Sequence, residues 1–514
     1  MKHIIILILL FQLGHIYCQN KQDYVWLFGL KDNDFAQGNQ SYRFDFKIKP
    51  FKIPVTDNGI GFDNNNASIC DKNGNLLFYS NGCAVLNKDA EIMPNGDSIN
   101  EDIWKKITGW DMCEYGYPGI QDIIILDDPG NEENNKKDYY IIHKTIVFNG
   151  FGKDDSNHLR CTIVDMDLDG GLGDVTIKDS TFYKEKQVLS SYLTAIRHQN
   201  GKDWWIVQPM EDTNVYLTFL LDENGIELKK EQAIGKVFDW NASSSGTARF
   251  SPDGTKYAYY NESDGLLLFD FDRSNGLLAN YKRVVPFDTT GIGIYCSVEW
   301  SPNSRFVYTA TETKLHQIDT WEEDLQDGVR LIDIYDGTRN PFPNTFFLMA
   351  QGPDCRIYMC STSGNKTYHV INHPNRLGKD CDFVQNGIVL PYEAGFGSMP
   401  NFPRFRVDEA DKCDSTIVSV FGDYVYYRRD LTVYPNPSSG IFNVKIPDRL
   451  GKGKLVVTDI QGQIIYKKSI SGILPGQRIN ITGMPTGRYN IDVYPDKNPK
   501  RIVYGVQVVK VSEP

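Results

Sequence analysis

The stretch Phe250-Ser-Pro-Asp-Gly-Thr-Lys-Tyr-Ala-Tyr-Tyr260 decides the fold, because copies of it recur at a nearly constant spacing. One copy is Trp300-Ser-Pro-Asn-Ser-Arg-Phe-Val-Tyr-Thr-Ala310, and the next is Gln351-Gly-Pro-Asp-Cys-Arg-Ile-Tyr-Met-Cys-Ser361. Each copy combines a tight Pro-Asp or Pro-Asn turn with a strand of alternating and aromatic residues. A period of about 50 residues, with short strands and no helical stretch, predicts the four-stranded blades of a β-propeller.

Weaker copies of the same turn-and-strand unit precede these three, so that six units are detectable: the earlier ones are Asp71–Ser80, Lys137–His143 and Gln199–Val207. A seventh blade is predicted from the chain ends, with Asp23–Phe28 adding a strand to a last blade around residues 383–407. A blade shared by both ends would close the ring and leave no exposed sheet edge. We therefore predict seven blades, with six or eight as alternatives.

The composition of the chain limits its architecture and its partners. With 514 residues it is too long for one ordinary domain, and 41% hydrophobic and 23% charged residues are ordinary for a folded protein. The formal net charge is −12 and no long basic run is present. Because phosphate binding needs a positive face, no nucleic-acid partner is expected.

The first 18 residues predict a signal peptide. Lys2 and His3 precede the apolar run Ile4–Phe11, which is too short to span a bilayer but suits a signal-peptide core. Cleavage is expected near Cys18. The alternative, a lipoprotein acylated at Cys18, is opposed by the bulky Tyr17 before it. No later segment is apolar enough for a transmembrane segment.

The repeat ends near residue 407, and a second β-rich block follows it. Residues 408–430 are charged and irregular and predict a linker. Residues 431–514 contain about seven short strands with Gly, Pro or Asn between them. This pattern predicts a small Ig-like β-sandwich, so that the whole chain is expected to be all-β.

The C-terminal block closely resembles the type A C-terminal sorting domain of the type IX secretion system. The matching positions are Tyr434, Pro435, Asn436, Pro437, Gly440, Asp459, Gly462, Gly487, Tyr489 and Lys510. The resemblance implies handling by the type IX secretion machinery and a sortase, a cut in the 408–430 linker, and a source among Bacteroidota. It places the protein in the extracellular space or on the outer-membrane surface. The alternative interpretation is a generic accessory sandwich.

The body, residues 19–407, resembles the WD40-like propellers that often carry this sorting domain. The similar stretches are Asn75–Gly82, Ile92–Gly96, Gly170–Asp174, Leu193–Ile196, Phe269–Asp272 and Pro400–Pro403. These stretches are mostly architectural, and the group has no single assigned activity. The resemblance therefore supports fold and location more than function.

Nine cysteines remain after residue 18, at positions 70, 83, 113, 161, 296, 355, 360, 381 and 413. Export favours disulfides, and an odd number leaves at least one cysteine without an intrachain partner. On one strand, Cys355 and Cys360 would lie ~16 Å apart on opposite faces, too far for a bond between them. Cys381 and Cys413 are the alternative partners, and several buried thiols are the simpler interpretation.

The only cofactor that the sequence suggests is calcium. Asp165, Asp167 and Asp169 alternate and are followed by Gly170, as at the start of a calcium loop. The residue at the position of the closing Glu is Thr176, so the motif is incomplete. A solvated hairpin turn is the alternative.

No catalytic constellation is evident. His369 and His373 fall on a predicted strand, which separates them by ~13 Å, and Gly96-Asp-Ser-Ile99 lacks the α/β scaffold of an esterase elbow. Aromatic residues in the stretch Trp104–Tyr117, and the pair Trp204 and Trp205, pack in cores more often than they bind sugars. The stretch Trp104–Tyr117 would nevertheless suit a carbohydrate or protein surface.

These observations favour an extracellular binding or adhesion module whose ligand is a glycan or a protein. The first alternative is an extracellular hydrolase or lyase with its site at the propeller channel, where residues from several blades meet. The second is a structural component of a surface assembly, which a large exposed apolar patch would favour.

Overall fold

A computed structural model describes the chain in segments: residues 20–30, 41–48, 53–62, 65–100, 116–117, 119–145, 158–237, 246–285, 295–390, 393–394, 397–407, 420–421, 424–425, 427–445, 452–459, 464–470, 476–495 and 502–512. The chain divides into two compact units, Met1–Ala410 and Asp411–Pro514. No helix among these segments is long and apolar enough to cross a membrane.

The described residues of the first unit form seven antiparallel sheets in chain order, which confirms the predicted propeller of about seven blades. Blades 1 and 2 have three strands each: β1 (Val25–Phe28), β2 (Ser41–Asp45), β3 (Val55–Thr56); β4 (Ala67–Cys70), β5 (Leu76–Ser80), β6 (Val85–Asn87). Blades 3 and 4 have four strands each. Blade 3 contains β7 (Ile123–Asp127), β8 (Asp138–Lys144), β9 (Leu159–Asp165) and β10 (Asp174–Tyr183), and blade 4 contains β11 (Thr194–Arg197), β12 (Trp204–Pro209), β13 (Val215–Asp222) and β14 (Gly225–Ala233).

Blades 5 to 7 also have four strands each. Blade 5 contains β15 (Thr247–Phe250), β16 (Lys256–Asn261), β17 (Gly265–Asp272) and β18 (Leu277–Val284), and blade 6 contains β19 (Cys296–Trp300), β20 (Phe306–Thr311), β21 (Lys314–Asp319) and β22 (Val329–Ile334). Blade 7 contains β23 (Met349–Gln351), β24 (Ile357–Met359), β25 (Thr367–Ile371) and β26 (Phe383–Val389). The described helical segments are short: α1 (Asn131–Asn134) and the 3-10 turns Asp169–Gly171 and Gly378–Cys381.

The repeated motif lies where the sequence predicts it, at the first hairpin of a blade. In blade 5, β15 ends at Phe250 and β16 begins at Lys256. The backbone N–H of Ser251 donates to the carbonyl of Lys256 at 2.9 Å, and the carboxylate of Asp253 caps the turn by accepting from Thr255. Gly254 has φ +70°, a left-handed conformation that favours glycine.

Apolar clusters join consecutive blades into a closed ring. Blade 7 contacts blade 1 through aromatic pairs: the ring centroids of Trp26 and Tyr358 lie 5.6 Å apart, and those of Phe28 and Tyr368 lie 5.4 Å apart. The prediction that Asp23–Phe28 joins a last blade around residues 383–407 is wrong. Its strand pairs with β2 instead, because residues 41–45 supply a nearer partner.

The second unit is a sandwich of two sheets, as predicted. Its strands are β29 (Tyr427–Asp430), β30 (Thr432–Tyr434), β31 (Ile441–Lys445), β32 (Gly453–Asp459), β33 (Ile464–Ile470), β34 (Gly476–Asn480), β35 (Gly487–Pro495) and β36 (Ile502–Lys510). The sheet orders are β29-β36-β35-β32-β33 and β30-β31-β34. Phe442 and Val444 of the smaller sheet pack against Leu455, Ile491 and Val493 of the larger one.

Part of the predicted linker 408–430 therefore belongs to this unit. Residues 427–430 pair in parallel with β36, from Tyr427 opposite Ile502 to Asp430 opposite Gly505. A further two-stranded ribbon, β27 (Val420–Phe421) with β28 (Tyr424–Val425), precedes them. These short strands were missed in the sequence because residues 408–430 are charged and have no regular alternation of apolar residues.

Candidate functional site

Residues 397–407 form a segment, here called the plug, that contacts the inner part of every blade. It has no regular secondary structure apart from a turn at residues 405–407 and one isolated bridge, between Arg404 and Ile196. Its partners from blade 1 to blade 7 are, in order, Trp26, Asn66, Ile123, Leu193, Phe250, Glu299 and Gln351. A segment that reaches all seven blades occupies the central channel.

Asn401 anchors the plug through hydrogen bonds to four blades. Its backbone N–H donates to the carbonyl of Asn66 at 2.8 Å. Its side-chain Nδ2 donates to the carbonyls of Ile123 at 2.9 Å and Leu193 at 3.0 Å. Its Oδ1 accepts from the Arg249 guanidinium. Asn401 is 3% exposed, so the side chain satisfies backbone groups that the channel would otherwise leave unpaired.

The guanidinium of Arg404 links three blades through two hydrogen bonds and one ion pair. Its Nε donates to the carbonyl of Phe250 at 2.7 Å, Nη1 donates to Gln351 Oε1 at 3.1 Å, and Nη2 pairs with Glu299. Glu299 is 2% exposed, and Arg249 approaches its other oxygen at 3.5 Å. Burial lowers the pKa of Arg249 to about 10, against the opposing effect of Glu299. The only carboxylate that these contacts place beside Arg404 is therefore held in an ion pair.

The two ends of the plug lie at opposite faces of the propeller. Gly397 lies against the loop between β24 and β25, where an added Cβ would come within 1.9 Å of the Ser361 carbonyl oxygen. Val407 lies at the first hairpin of blade 5. A Cβ atom added to Gly254 in that hairpin would lie 2.6 Å from Val407 Cγ1. Because successive hairpins of an antiparallel sheet alternate between its two ends, these are different faces. We call the face at Gly397 upper and the face at Val407 lower.

A small open hollow, with room for little more than one water molecule, lies at the upper face of blade 7. It is lined by Cys360, Ser361, Ser363, Asn365, Thr367, Tyr368, Ala394 and Gly397. The loop between β22 and β23 touches its rim, since Pro341 forms a bridge with Asn365 and the carbonyl of Pro343 accepts from Asn365 Nδ2 at 3.2 Å. Phe342, between these prolines, is 52% exposed.

Glu211 is a second polar feature, between β12 and β13. Its side chain is 9% exposed, and none of the described basic residues pairs with it. Burial, assisted by the charge of Asp212, raises the pKa of Glu211 to about 7. The sequence carries no signal for this shift, because it depends on how the chain folds around the carboxylate.

The three aspartates of the predicted calcium loop lie in the β9–β10 hairpin. Asp165 Oδ1 accepts the backbone N–H of Asp167 at 2.8 Å, and Asp167 Oδ1 lies 2.9 Å from Lys137 Nζ. Among the described segments, no group of three His, Cys, Asp or Glu residues is arranged to hold a metal ion. Calcium binding at Asp165, Asp167 and Asp169 stays a prediction, which a comparison of the melting temperature in calcium and in chelator would check.

The structure describes three of the aromatic residues for which core packing was weighed against sugar binding. Tyr117 is 1% exposed, and Trp204 and Trp205 are 0% and 3% exposed, so these three pack in the core. Trp204 also lies 5.8 Å from the ring of Phe405 in the plug. Residues 101–115 lie outside the described segments.

Five cysteines are buried free thiols: Cys70, Cys161, Cys296, Cys360 and Cys381. Burial raises the pKa of each, to about 11 for Cys161 and Cys381 and to about 12 for Cys360. The expectation of several buried thiols is confirmed. The alternative pairing of Cys355 with Cys381 is wrong, and Cys413 lies outside the described residues.

In the second unit, the residues of the sorting motif meet around the last strand. Asn436 Oδ1 accepts the backbone N–H of Val509 at 2.8 Å, and its Nδ2 donates to the carbonyl of Gln507 at 3.2 Å. Gly440 has φ +122°, and an added Cβ there would lie 2.7 Å from Thr482 Cα and 2.9 Å from Lys510 Cε. The glycine is therefore required by both its conformation and its surroundings.

Ser438, which the motif analysis did not single out, completes this arrangement. Its backbone N–H donates to the carbonyl of Val509 and its carbonyl accepts from Val511, at 3.0 and 2.9 Å. Its Oγ accepts from the backbone of Gly440 and Ile441. Its position between Pro437 and Gly440 is the sequence signal that could have identified it.

The other motif residues lie along the neighbouring strands. Gly487 is opposite Lys510 in the β35–β36 pair, and Asp459 is opposite Tyr489 in the β32–β35 pair. Tyr489 is buried and its hydroxyl donates to the carbonyl of Pro485 at 2.7 Å. Tyr434, at 58% exposure, faces solvent. Gly462 lies outside the described residues.

Comparison with protein families identifies the second unit. Residues 432–504 match the family described as the secretion system C-terminal sorting domain. This confirms the resemblance drawn from the motif residues. No curated protein matches the chain.

Three solved structures illustrate the likeness of the body to known folds. A protein from Lactobacillus plantarum is 12% identical, with a TM-score of 0.42, covering 73% of this chain and 98% of its own. A functionally unknown protein from Desulfotomaculum acetoxidans is 12% identical, with a TM-score of 0.38, covering 73% and 99%. A gluconolactonase from Xanthomonas campestris is 12% identical, with a TM-score of 0.29, covering 67% and 94%. At these scores the likenesses carry no conclusion about activity.

Proposed function

Since the chain carries a type IX secretion sorting domain, and is thus secreted to the cell surface or the extracellular space, we propose that its propeller is a binding or adhesion module for a glycan or a protein. The plug is the observation that carries this proposal. It fills the channel in which the alternative, a hydrolase or lyase, would hold its site. The faces of the propeller then carry the function, as loops on a rigid scaffold commonly do.

We further propose that residues 1–18 are a signal peptide and that a sortase cuts the chain between the plug and the sorting sandwich, in a bacterium of the Bacteroidota. The plug limits where such a cut is tolerated. A cut before Arg406 would remove the contacts of Arg406 with Asp23 and of Val407 with the blade 5 hairpin, whereas a cut after Val407 leaves the propeller complete. The mature protein is then anchored to lipopolysaccharide or released.

Disulfide bonds are expected in an exported chain. We propose that Cys83 and Cys355 both take part in disulfide bonding, without assigning their partners. Cys355 lies in the first hairpin of blade 7, in a left-handed conformation with φ 75°. Five other cysteines are buried free thiols, and their burial protects them from oxidation. Cys83 and Cys355 do not belong to this set. Mass analysis of alkylated protein with and without reduction would count the thiols that each treatment exposes.

The proposed function is tested on native protein recovered separately from washed cells and from medium. Intact mass and both terminal sequences establish processing, and the same preparations are then applied to glycan arrays and to cell-surface extracts. We expect a chain that starts near Gln19, ends after Val407 and binds a ligand without turning it over. Turnover of a glycan or ester substrate would instead support the hydrolase alternative, and an uncut chain retained in the cell would contradict the secretion pathway.

A further inference from the structure

Cys83 and Cys355, for which disulfide bonding is proposed, lie at opposite faces of the propeller. Cys83 follows the end of β5, the second strand of blade 2, which is at the upper face. Cys355 lies in the β23–β24 hairpin, the first hairpin of blade 7, which is at the lower face. The faces are separated by at least the length of a five-residue strand, ~17 Å, whereas a disulfide holds its two Cα atoms within about 7 Å. Cys83 and Cys355 therefore do not bond to each other.

The other described cysteines are not available as partners, because all five are buried free thiols. Of the nine cysteines after residue 18, only Cys113 and Cys413 then remain. Both lie outside the described residues. Their partners follow from the length of chain that joins each of them to a described residue.

Tyr117 holds the chain of Cys113 beside Cys83. The backbone N–H of Tyr117 donates to the carbonyl of Asn81 at 2.9 Å, and Asn81 Oδ1 accepts the backbone N–H of Cys83 at 3.0 Å. A Cβ atom added to Gly82 would lie 2.8 Å from Tyr117 Cβ. Four residues of chain, which span at most about 14 Å, join Tyr117 to Cys113. Cys113 is thus within reach of Cys83 at the upper face.

Cys413 follows the plug on the side of the propeller where Cys355 lies. Nη1 of Arg404 donates to Gln351 Oε1 at 3.1 Å, and Gln351 directly precedes the hairpin that contains Cys355. Six residues of chain, which span at most about 21 Å, join Val407 at the lower face to Cys413. A bond from Cys413 to the other candidate would have to return across the ring to the upper face.

From these contacts we infer that the exported chain carries two disulfide bonds, Cys83–Cys113 at the upper face and Cys355–Cys413 at the lower face. Each bond forms when two thiols give up two electrons and two protons to a disulfide-bearing oxidoreductase, which is thereby reduced to a dithiol. The oxidising compartment beyond the inner membrane supplies such an oxidant. The inference rests on the proposed export and on the proposed disulfide bonding.

The lower bond restricts where the sortase can cut. A cut between residues 408 and 412 would leave the sorting domain attached to the propeller through Cys413. Residues from Tyr427 onward pair with β36 and are withheld from a protease, which needs an unpaired segment of chain. The cut that releases the propeller therefore lies after Cys413 and before Tyr427.

The test uses native protein recovered from the medium and denatured without reduction. Iodoacetamide labels the free thiols, and N-ethylmaleimide labels those that appear after reduction. Mass analysis of a digest made without reduction identifies the linked peptides, and the mass of the intact chain locates its C-terminus. Cys413→Ser and Cys113→Ser each remove one bond, and Cys161→Ala, which removes a buried free thiol, is the control.

We expect five cysteines to react before reduction and four only after it, with peptides linked through Cys83 to Cys113 and through Cys355 to Cys413. Cys413→Ser should make Cys355 alone reactive before reduction, Cys113→Ser should do the same for Cys83, and Cys161→Ala should leave both bonds in place. The measurement on the native chain decides the pairing even where a variant does not fold.

A bond between Cys83 and Cys355, a crossed pairing, or nine thiols that all react without reduction would overturn the inference and leave the proposed secretion and binding in place. A released chain that ends before Cys413 would overturn the lower bond and the position of the cut. An uncut chain retained in the cell would overturn the proposed secretion itself.

Discussion

The guanidinium of Arg406 pairs with the carboxylate of Asp23, with Nη2 at 2.5 Å from Oδ2, across 383 residues of sequence. Asp23 precedes the first strand of blade 1, and Arg406 lies next to the end of the plug. Arg406 also donates to the carbonyl of Asn20 at 3.1 Å. The two ends of the propeller are thus joined by an ion pair at its lower face and not by a shared sheet.

Arg404→Ala is expected to destabilise the propeller by about 3 kcal/mol, because it removes one partner of a buried ion pair and leaves Glu299 short of a counter-charge. Urea unfolding, followed by tryptophan fluorescence, measures the loss. Lys72→Ala is the control, since the Lys72–Glu132 pair is exposed and should contribute less than about 1 kcal/mol. Equal effects of the two substitutions would contradict a stabilising role for the plug.

A chain that stops after Val407 is expected to fold, whereas a chain that stops after residue 396 is not. The shorter chain lacks Asn401 and Arg404 and leaves carbonyl groups of several blades without donors. Circular dichroism during heating, together with limited proteolysis, distinguishes the two. Identical melting temperatures would mean that the ring closes without the plug.

Glu211→Gln is expected to stabilise the protein at pH 8 and to have little effect at pH 4. The folded state raises the pKa of Glu211 to about 7, mainly by burial. Between the ordinary value of 4.5 and about 7, the folded chain therefore binds more protons than the unfolded chain, so stability falls as the pH rises through this window. The gain at pH 8 should be about 1–3 kcal/mol. A gain that is the same at both pH values would show that charge is not the cause.

Gly440→Ala is expected to disrupt the sorting sandwich and to retain the protein in the cell. The new Cβ would meet Thr482 and Lys510, and the positive φ adds strain. Immunoblots of cells and medium measure the retained fraction. Gly483→Ala is the control, because no atom lies within 4 Å of its added Cβ. Normal secretion of the Gly440 variant would mean that the machinery tolerates a distorted Pro437–Ile441 turn.

The blades were predictable because their signal is local. The turn of Phe250–Tyr260 and its copies at Trp300–Ala310 and Gln351–Ser361 sets each first hairpin, and the structure confirms all three. The plug was not, although Pro400–Pro403 stood out as a motif. It has no strand periodicity, and the backbone carbonyls of Ile123, Leu193 and Phe250 that it contacts lie more than 150 residues away, so no pattern within the segment records them.

The candidate sites divide in the same way. Tyr434–Pro437 and Gly440 were predictable, since their spacing is a family pattern. The hollow at Asn365 was not, because it forms only where the loop at Phe342, the β24–β25 loop and Gly397 come together. Tyr117 is buried, as such aromatic residues more often are, although its loop-like stretch also suited a carbohydrate or protein surface.

The plug also determines when the molecule can reach its folded state. Its hydrogen bonds join residues far apart in the chain, such as Asn66 and Ser398, which are 332 residues apart. Such distant contacts give the propeller a high contact order, which slows folding. A nascent chain cannot complete the plug contacts until residue 407 has emerged. On the proposed export route, delayed closure would leave the propeller unclosed while the chain crosses the first membrane, and the sorting sandwich would follow a ring that has only just become able to close.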